Sequence, residues 1–593
     1  MNNFRAHTFH IPVMGTGFTI DTPIRVAPYG ISSVISLVDD MLMETMREFY
    51  SKKFNLSFTA ISSKSFDARA QRITEYLNMV DKIVSDKVAN LKQSYLEKEG
   101  EMQKYFDMLP DVSTVKADMM KAFQNSRLVK DFNAWKGNLA VGSIDVNIMT
   151  KVDKENYSEG IKQSDEFNDA HAALRGFANS TLCSSMVFSA GMNPKLYGYL
   201  EQFEDFYPNE LGAFRKKITL KVSDYRSALI QGKFLAKKGL WVSEYRVESG
   251  LNCGGHAFAS DGSLMGPILE EFKNSREELI RSVYELYVNA LAEKGRVCPS
   301  APPEVHFTAQ GGVGTADEHE FLLNHYNLDS VGWGSPFLLV SEAVSIDDNT
   351  KEMLREAKEE DLYLSNISPL GVPFNSLRGN TQDLKKNERI AAGKPGSICH
   401  KRYLALNPEF SEKGICTASR EYQKQKLEAL KSQNLSSEEY DKQAAMVTDK
   451  SCLCAGLGTT SLIENNLDTT LLGDGVSVCP GPNMAYFSKF VSLKSMVDHI
   501  YGRKNIIERT DRPSMFVKEL SIYVELLKSK VANLQKGASD KEMKSLNGIK
   551  SNLQKGIAYY RDLFATTKEK IQVIKSQVIS DLDKQEKELN SIL

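Results

Sequence analysis

Eight short runs rich in β-branched and aromatic residues recur over roughly the first 350 residues, and helical periodicity fills most of the gaps between them. They are FHIPVMG (9–15), SSVISLV (32–38), SIDVNIM (143–149), SSMVFSAG (184–191), KKITLKV (216–222), WVSEYRV (241–247), EVHFTAQGG (304–312) and DSVGWG (329–334). Helical connections let successive strands run parallel, so the pattern predicts an α/β fold. Eight repeats favour a closed (β/α)8 barrel. A doubly wound open sheet is the alternative, because periodicity does not show closure.

The rest of the chain departs from this rhythm. At 593 residues it exceeds one ordinary core, and two to four domains are expected. Residues 66–132 are charged and helical, with Ile73, Leu77, Val80, Val84, Val88 and Leu91 at three- and four-residue steps. They read as a helical insertion in a 1–350 barrel: a protruding arm or lid, or an arm packed on its own chain. Residues 351–505 form a turn-rich extension bearing cysteine, glycine and proline. From Pro513 a stripe Phe516, Leu520, Val524, Leu527, Val531 and Leu534 precedes Gly537, and a second helix carries Leu546, Ile549, Leu553, Ile557 and Tyr560. Residues 506–593 therefore predict a helical hairpin docked on the barrel or on a second copy of the chain.

Composition narrows the function. The formal net charge is −2, so no overall field draws the chain to nucleic acid or anionic lipid. The start MNNFRAHTFHIPV has no secretory pattern and no apolar run is long enough for a bilayer, which predicts a cytoplasmic protein without a membrane partner. Its eight cysteines then read as thiols, ligands or core residues before disulfides.

In such a barrel the chemistry lies where the strands end. Glycine is dense there, at Gly15, at NCGGH (252–256), at Gly311, Gly312 and Gly314, and at Gly332 and Gly334 before Ser335. Bare backbone N–H groups before the helix start TADE (315–318) make an anion site, so these junctions predict a bound phosphate. Read singly, each is a turn. No GxGxxG or Walker-type loop is present.

The same segments resemble the nitronate monooxygenase/2-nitropropane dioxygenase superfamily of FMN-dependent barrels, which includes flavin-type enoyl-acyl-carrier-protein reductases. PVMGTGFTIDTPIRVAPYGISSVIS (12–36), VNIM (146–149), SAGMNPKLY (189–197), CGGHAF (253–258), AQGGVGTADE (309–318) and GWGSPFLLVSEA (332–343) follow the family's order. The resemblance implies an FMN whose phosphate is held by Gly254, Gly255, Gly311, Gly312, Gly332, Gly334 and Ser335. It implies Met14, Gly15 and Asn147 near the ring, with Lys221 of the fifth strand added to the cofactor set. His256 matches the family histidine beside the flavin, a catalytic base or a positioning donor. Asn252 and Cys253 depart from the acidic residue and alanine usual before GGH, which weakens any transfer of substrate specificity.

Cys399, Cys416, Cys452, Cys454 and Cys479 fall close together in the extension. Thiolates converging from separate loops can hold a [4Fe–4S] cluster or zinc, although CxxCxxC spacing is missing. Scattered free thiols are the plain alternative. The resulting expectation is an FMN-dependent oxidoreductase acting on a small carbon acid or activated acyl substrate, its electron donor unreadable. A non-catalytic binding or assembly protein on a retained barrel, and a flavin-dependent RNA-modifying enzyme, are the competing readings.

Overall fold

The computed structural model describes residues 5–94, 100–118, 139–253, 261–532, 534, 539–566 and 575–592. Its barrel strands are β1 (Phe9–Ile11), β2 (Ser32–Ser36), β3 (Ile144–Ile148), β4 (Ser185–Phe188), β5 (Lys217–Val222), β6 (Val242–Glu248), β7 (His306–Gln310) and β8 (Ser330–Gly332). All pair in parallel, in the closed order β1-β8-β7-β6-β5-β4-β3-β2. β1 completes the ring: His10 is in register with Ser32 on one side and Gly332 on the other. The fold is an α/β barrel, and the open-sheet alternative falls.

Barrels of this architecture are usually filled by branched apolar side chains. Charge fills part of this one. Glu244, Arg246 and Glu248 alternate along β6 and so share one face. Glu244 accepts hydrogen bonds from Arg246 Nε (2.9 Å), Arg5 Nη2 (2.9 Å) and Thr308 Oγ1 (2.7 Å). Burial would push the Glu244 carboxyl up, but Arg246 and Arg5 hold it well below the usual carboxylate range. Pairing of this quality is what lets charge stay inside a barrel.

Among the described residues, α2 (Ala68–Gln93) and α3 (Glu101–Met108) lie in the expected insertion, between α1 (Asp40–Lys53) and, beyond β3, α4 (Asp169–Ala178). The stripe from Ile73 to Leu91 is buried, so α2 lies along the barrel flank and does not protrude. Arg69 and Arg72 clamp Asp40, at the start of α1, at 2.5 and 3.0 Å. The α2–α4 crossing is tight: a Cβ on Gly176 would sit 2.8 Å from Ile73 Cβ. Gly176→Ala should therefore lower stability by about 1–3 kcal/mol through overpacking, read as a lower thermal midpoint.

Two further barrel helices, α5 (Met265–Glu293) and α6 (Ala316–His325), precede the C-terminal third. There, the antiparallel hairpin β9 (Leu362–Ser365) and β10 (Phe374–Leu377) and helix α7 (Leu453–Glu464) cover the end of the barrel where the strands terminate. Gly17 N–H donates to Leu457 O (2.8 Å), Asn375 Nδ2 to Asn252 O (3.2 Å) and Thr460 Oγ1 to Asp347 Oδ2 (2.9 Å). A buried Lys401–Asp39 pair ties the same layer to the loop after β2.

Among its described residues the tail holds α8 (Met515–Ala532), α9 (Asp540–Thr566) and a third helix, α10 (Lys575–Asn590), where a hairpin was expected. Only Val578, Leu582 and Leu589 of α10 are buried, too sparse a stripe to stand out in a lysine- and glutamate-rich text. The unit docks on α5, where Gly266 N–H donates to Tyr560 Oη (3.1 Å). Among the described residues no helix is long and apolar enough to cross a membrane.

Candidate functional site

A cavity of about 1260 Å³ lies between the carboxyl ends of the strands and the C-terminal third. Its floor is polar and comes from the barrel: Asn147 of β3, Lys221 of β5, Arg246 and Glu248 of β6, and Gln310 of β7. Gly15 and Thr16, after β1, form a wall. The roof is apolar where the hairpin gives Leu370 and Phe374 and α7 gives Leu453 and Leu457, whereas α8 adds Ile522 and Leu526 together with Lys518, Glu525 and Lys530.

Glu248 anchors the floor. Its Oε1 accepts from Asn252 Nδ2 (2.8 Å) and Gln310 Nε2 (2.7 Å), and Lys221 Nζ stands 3.1 Å away. Its Oε2 is buried without a hydrogen-bond partner among the described residues, as is Thr16 Oγ1. A buried acceptor left open in this way costs free energy until a donor reaches it. Both residues line the cavity, so the arrangement suits a ligand that offers N–H or O–H groups at the floor.

The residues expected at a flavin divide into three groups. Gly15, Asn147 and Lys221 line the cavity. Met14 does not; it is fully buried in the core. Gly254, Gly255 and His256 lie outside the described residues.

The remaining glycines meet at one corner of the barrel, packed behind the lining residues Pro12, Asn252, Cys253 and Gln310, and each is close to other protein atoms. A Cβ would fall 2.3 Å from Leu251 Cδ1 at Gly312, 2.6 Å from Gln310 Cβ at Gly332 and 3.0 Å from Cys253 Cβ at Gly334. At Gly311 it would lie 3.1 Å from Asn252 N. Gly311 and Gly312 also have φ of +115° and +87°, where side chains are strained.

The helix start after β7 has its own anion. Gly314 N–H donates to Glu318 Oε2 (2.9 Å), and Arg512 grips that carboxylate at 2.9 and 2.8 Å. Ser335 is buried beside Cys253 and Gly481. Close approach of neighbouring protein atoms is one reason for glycine at these positions.

The cysteines separate in space. Cys479 packs at the glycine corner, where its carbonyl accepts from Cys253 Sγ (3.0 Å). Burial pushes the Cys253 thiol well up, so it is a neutral donor there. Cys399, Cys416, Cys452 and Cys454 interact with one another next to the cavity. Among the described residues no group of three or more His, Cys, Asp or Glu side chains is placed to hold a metal ion, so the expected five-cysteine iron–sulfur or zinc site does not form.

Sequence reading missed Glu248, Arg246, Gln310 and Thr16. The signal was present: SEYRVE places charge at every second position of a strand in a barrel, which points it inward.

The fold and cavity define a (β/α)8 barrel with a roofed pocket at the catalytic end of that architecture. No family model and no curated protein matches the chain. Solved structures with a likeness include the enoyl reductase domain of MlnA from the macrolactin biosynthesis cluster of Bacillus amyloliquefaciens, at 13% identity over 70% of this chain and 88% of that one, TM-score 0.32. FabK from Thermotoga maritima follows at 12% identity, 68% and 82% coverage and TM-score 0.28. Nitroalkane oxidase from Streptomyces ansochromogenes gives 10% identity, 64% and 84% coverage and TM-score 0.26. The likeness is distant, and the fold class rests on the strand order, not on it.

Proposed function

We propose that the chain is an FMN-dependent oxidoreductase that holds the flavin ring on the polar floor and an apolar substrate beneath the roof. The observation that carries this reading is the cavity itself. At about 1260 Å³ it exceeds the roughly 300–1,000 Å³ typical of a site for one drug-sized molecule, leaving room for a cofactor and a substrate together.

The described residues fit the ring end. Glu248 Oε2 and Thr16 Oγ1 are open to polar edge groups, and Gly15 leaves the wall without a side chain. They do not assign the phosphate, because Glu318 and Arg512 already answer the helix start after β7. A bound flavin would supply hydride-level electron transfer. The chain's own part is to orient and to exclude water. Lys221 stands beside the Glu248 carboxylate, and the hairpin and α7 close the apolar side. That side suits the hydrocarbon part of an activated acyl group or carbon acid.

FMN titration of the purified full chain, followed by fluorescence quenching, tests the proposal. One FMN per chain is expected, with flavin absorption bands. Glu248→Gln should weaken binding about 10- to 100-fold, since a hydrogen bond to a charged group is worth about 1.5–3 kcal/mol. A chain that never quenches FMN overturns the reading.

A further inference from the structure

His10 of β1 packs behind Gln310, one of the floor residues. Around the closed sheet His10 is in register with Gly332, and Gly332 with Gln310. Glycine leaves the space in which its two neighbours meet: a Cβ on Gly332 would lie 3.0 Å from His10 Nε2 and 2.6 Å from Gln310 Cβ. His10 and Gln310 are 4% and 3% exposed, and neither His10 Nε2 nor Gln310 Oε1 has a hydrogen-bond partner among the described residues. The other polar atom of each side chain is engaged. Ser330 Oγ lies 3.1 Å from His10 Nδ1, and Gln310 Nε2 donates to Glu248 Oε1 (2.7 Å).

We propose that His10 is a positioning residue: as the Nε2–H tautomer it offers its proton to Gln310 Oε1, directly or through one water, and so keeps the Gln310 amide turned toward Glu248. Three constraints lead to this assignment. Turned over, the amide would aim its oxygen at the Glu248 carboxylate, acceptor against acceptor. Held as it is, Gln310 Oε1 is a buried acceptor that only a donor relieves. The Nδ1–H tautomer would bring no proton to it, whereas the Nε2–H tautomer does and leaves Nδ1 to accept from the Ser330 hydroxyl.

Burial, reinforced by the charge of Arg246, holds His10 well below its ordinary 6.5, so the imidazole is neutral at physiological pH. Donors then run one way, from Ser330 to His10, Gln310 and Glu248. An amide that does not turn over keeps Glu248 Oε1 engaged and leaves Oε2 as the acceptor open to a ligand. His10 thus acts on the cavity through Gln310 without touching what binds there.

The test reads the tautomer first, on the full chain carrying 15N-labelled histidine. The His10 signal, assigned as the one missing from His10→Leu, should show a protonated Nε2 and a bare Nδ1 between about pH 6 and pH 8. Ser330→Ala removes the Nδ1 partner and should shift the same signal, which assigns it if His10→Leu does not fold. FMN titration then reads the floor. His10→Leu should weaken binding about 3- to 10-fold, the range for one neutral hydrogen bond. In a Gln310→Leu background it should change binding less than about twofold, because the relay acts only through that amide. A protonated Nδ1, an imidazolium, or equal losses in both backgrounds overturns the proposal. Only the affinity arm rests on the flavin reading: if the wild-type chain never quenches FMN, that reading falls and the tautomer decides this one.

Discussion

Arg512→Ala is expected to cost about 3–5 kcal/mol, the range for stripping one partner from a buried ion pair. The guanidinium holds Glu318 by two hydrogen bonds, at 2.9 and 2.8 Å, and reaches Gly312 O (3.0 Å) and Asn483 Oδ1 (3.0 Å). The two side chains are only 8% and 3% exposed. Without the arginine, Glu318 keeps its backbone donors, Gly314 N–H and Met515 N–H, but loses its countercharge in a dry site. Met515 starts α8, so the loss is felt where the tail joins the barrel. The measurement is thermal unfolding of the full chain together with amide exchange across α8, which should accelerate. Arg512→Lys restores charge without the planar fork and should recover only part of the loss. An unchanged midpoint in Arg512→Ala would remove this contact from the set that secures the tail.

Glu519→Gln should flatten a pH dependence that the wild-type chain carries between about 4.5 and 7. Burial pushes the Glu519 carboxyl up to about 7 from its ordinary 4.5; bonds from Met265 N–H, Ser249 and Tyr560 oppose the rise only in part. Tyr523 and Tyr560 are the other titratable groups facing it, and both stay protonated because burial raises them well above 10.0. An acid raised on folding binds more protons in the native state. Its contribution is therefore complete below 4.5 and is lost as pH rises through 7. Roughly two and a half pKa units correspond to about 3 kcal/mol. Glutamine keeps the Met265 N–H acceptor and never charges, so the difference between variant and wild type should grow by about that amount from pH 4 to pH 8. Denaturant midpoints at both pH values decide it, and parallel curves would show that Glu519 is already ionised in the native state.

The barrel was readable because its strands carry a local signal. Seven fall inside β-rich runs and β6 exceeds its run only by Glu248, and only closure needed the structure, since the pairing of β1 with both β2 and β8 joins residues far apart in sequence. The buried stripe of α2 was equally visible, but which surface covered it was not, because amphipathicity names a face and not its partner. The site was legible by half. Gly15, Asn147 and Lys221 line the cavity, whereas Gly312 and Gly334 are close to neighbouring loops and Gly332 to the adjoining strands. A glycine records that something comes close; it does not record what. The roof residues Leu457 and Ile522 gave no sign of facing Glu248, since nothing in a single sequence reports contact across hundreds of residues.

That separation has a consequence for biogenesis. The polar floor is complete once Gln310 has left the ribosome, whereas the covering segments follow only later in the chain. A barrel that folds as it is made thus passes through an uncapped stage in which Glu248 is hydrated and a bulky planar molecule can settle without displacing any protein. Hairpin, α7 and α8 then shut over whatever has arrived.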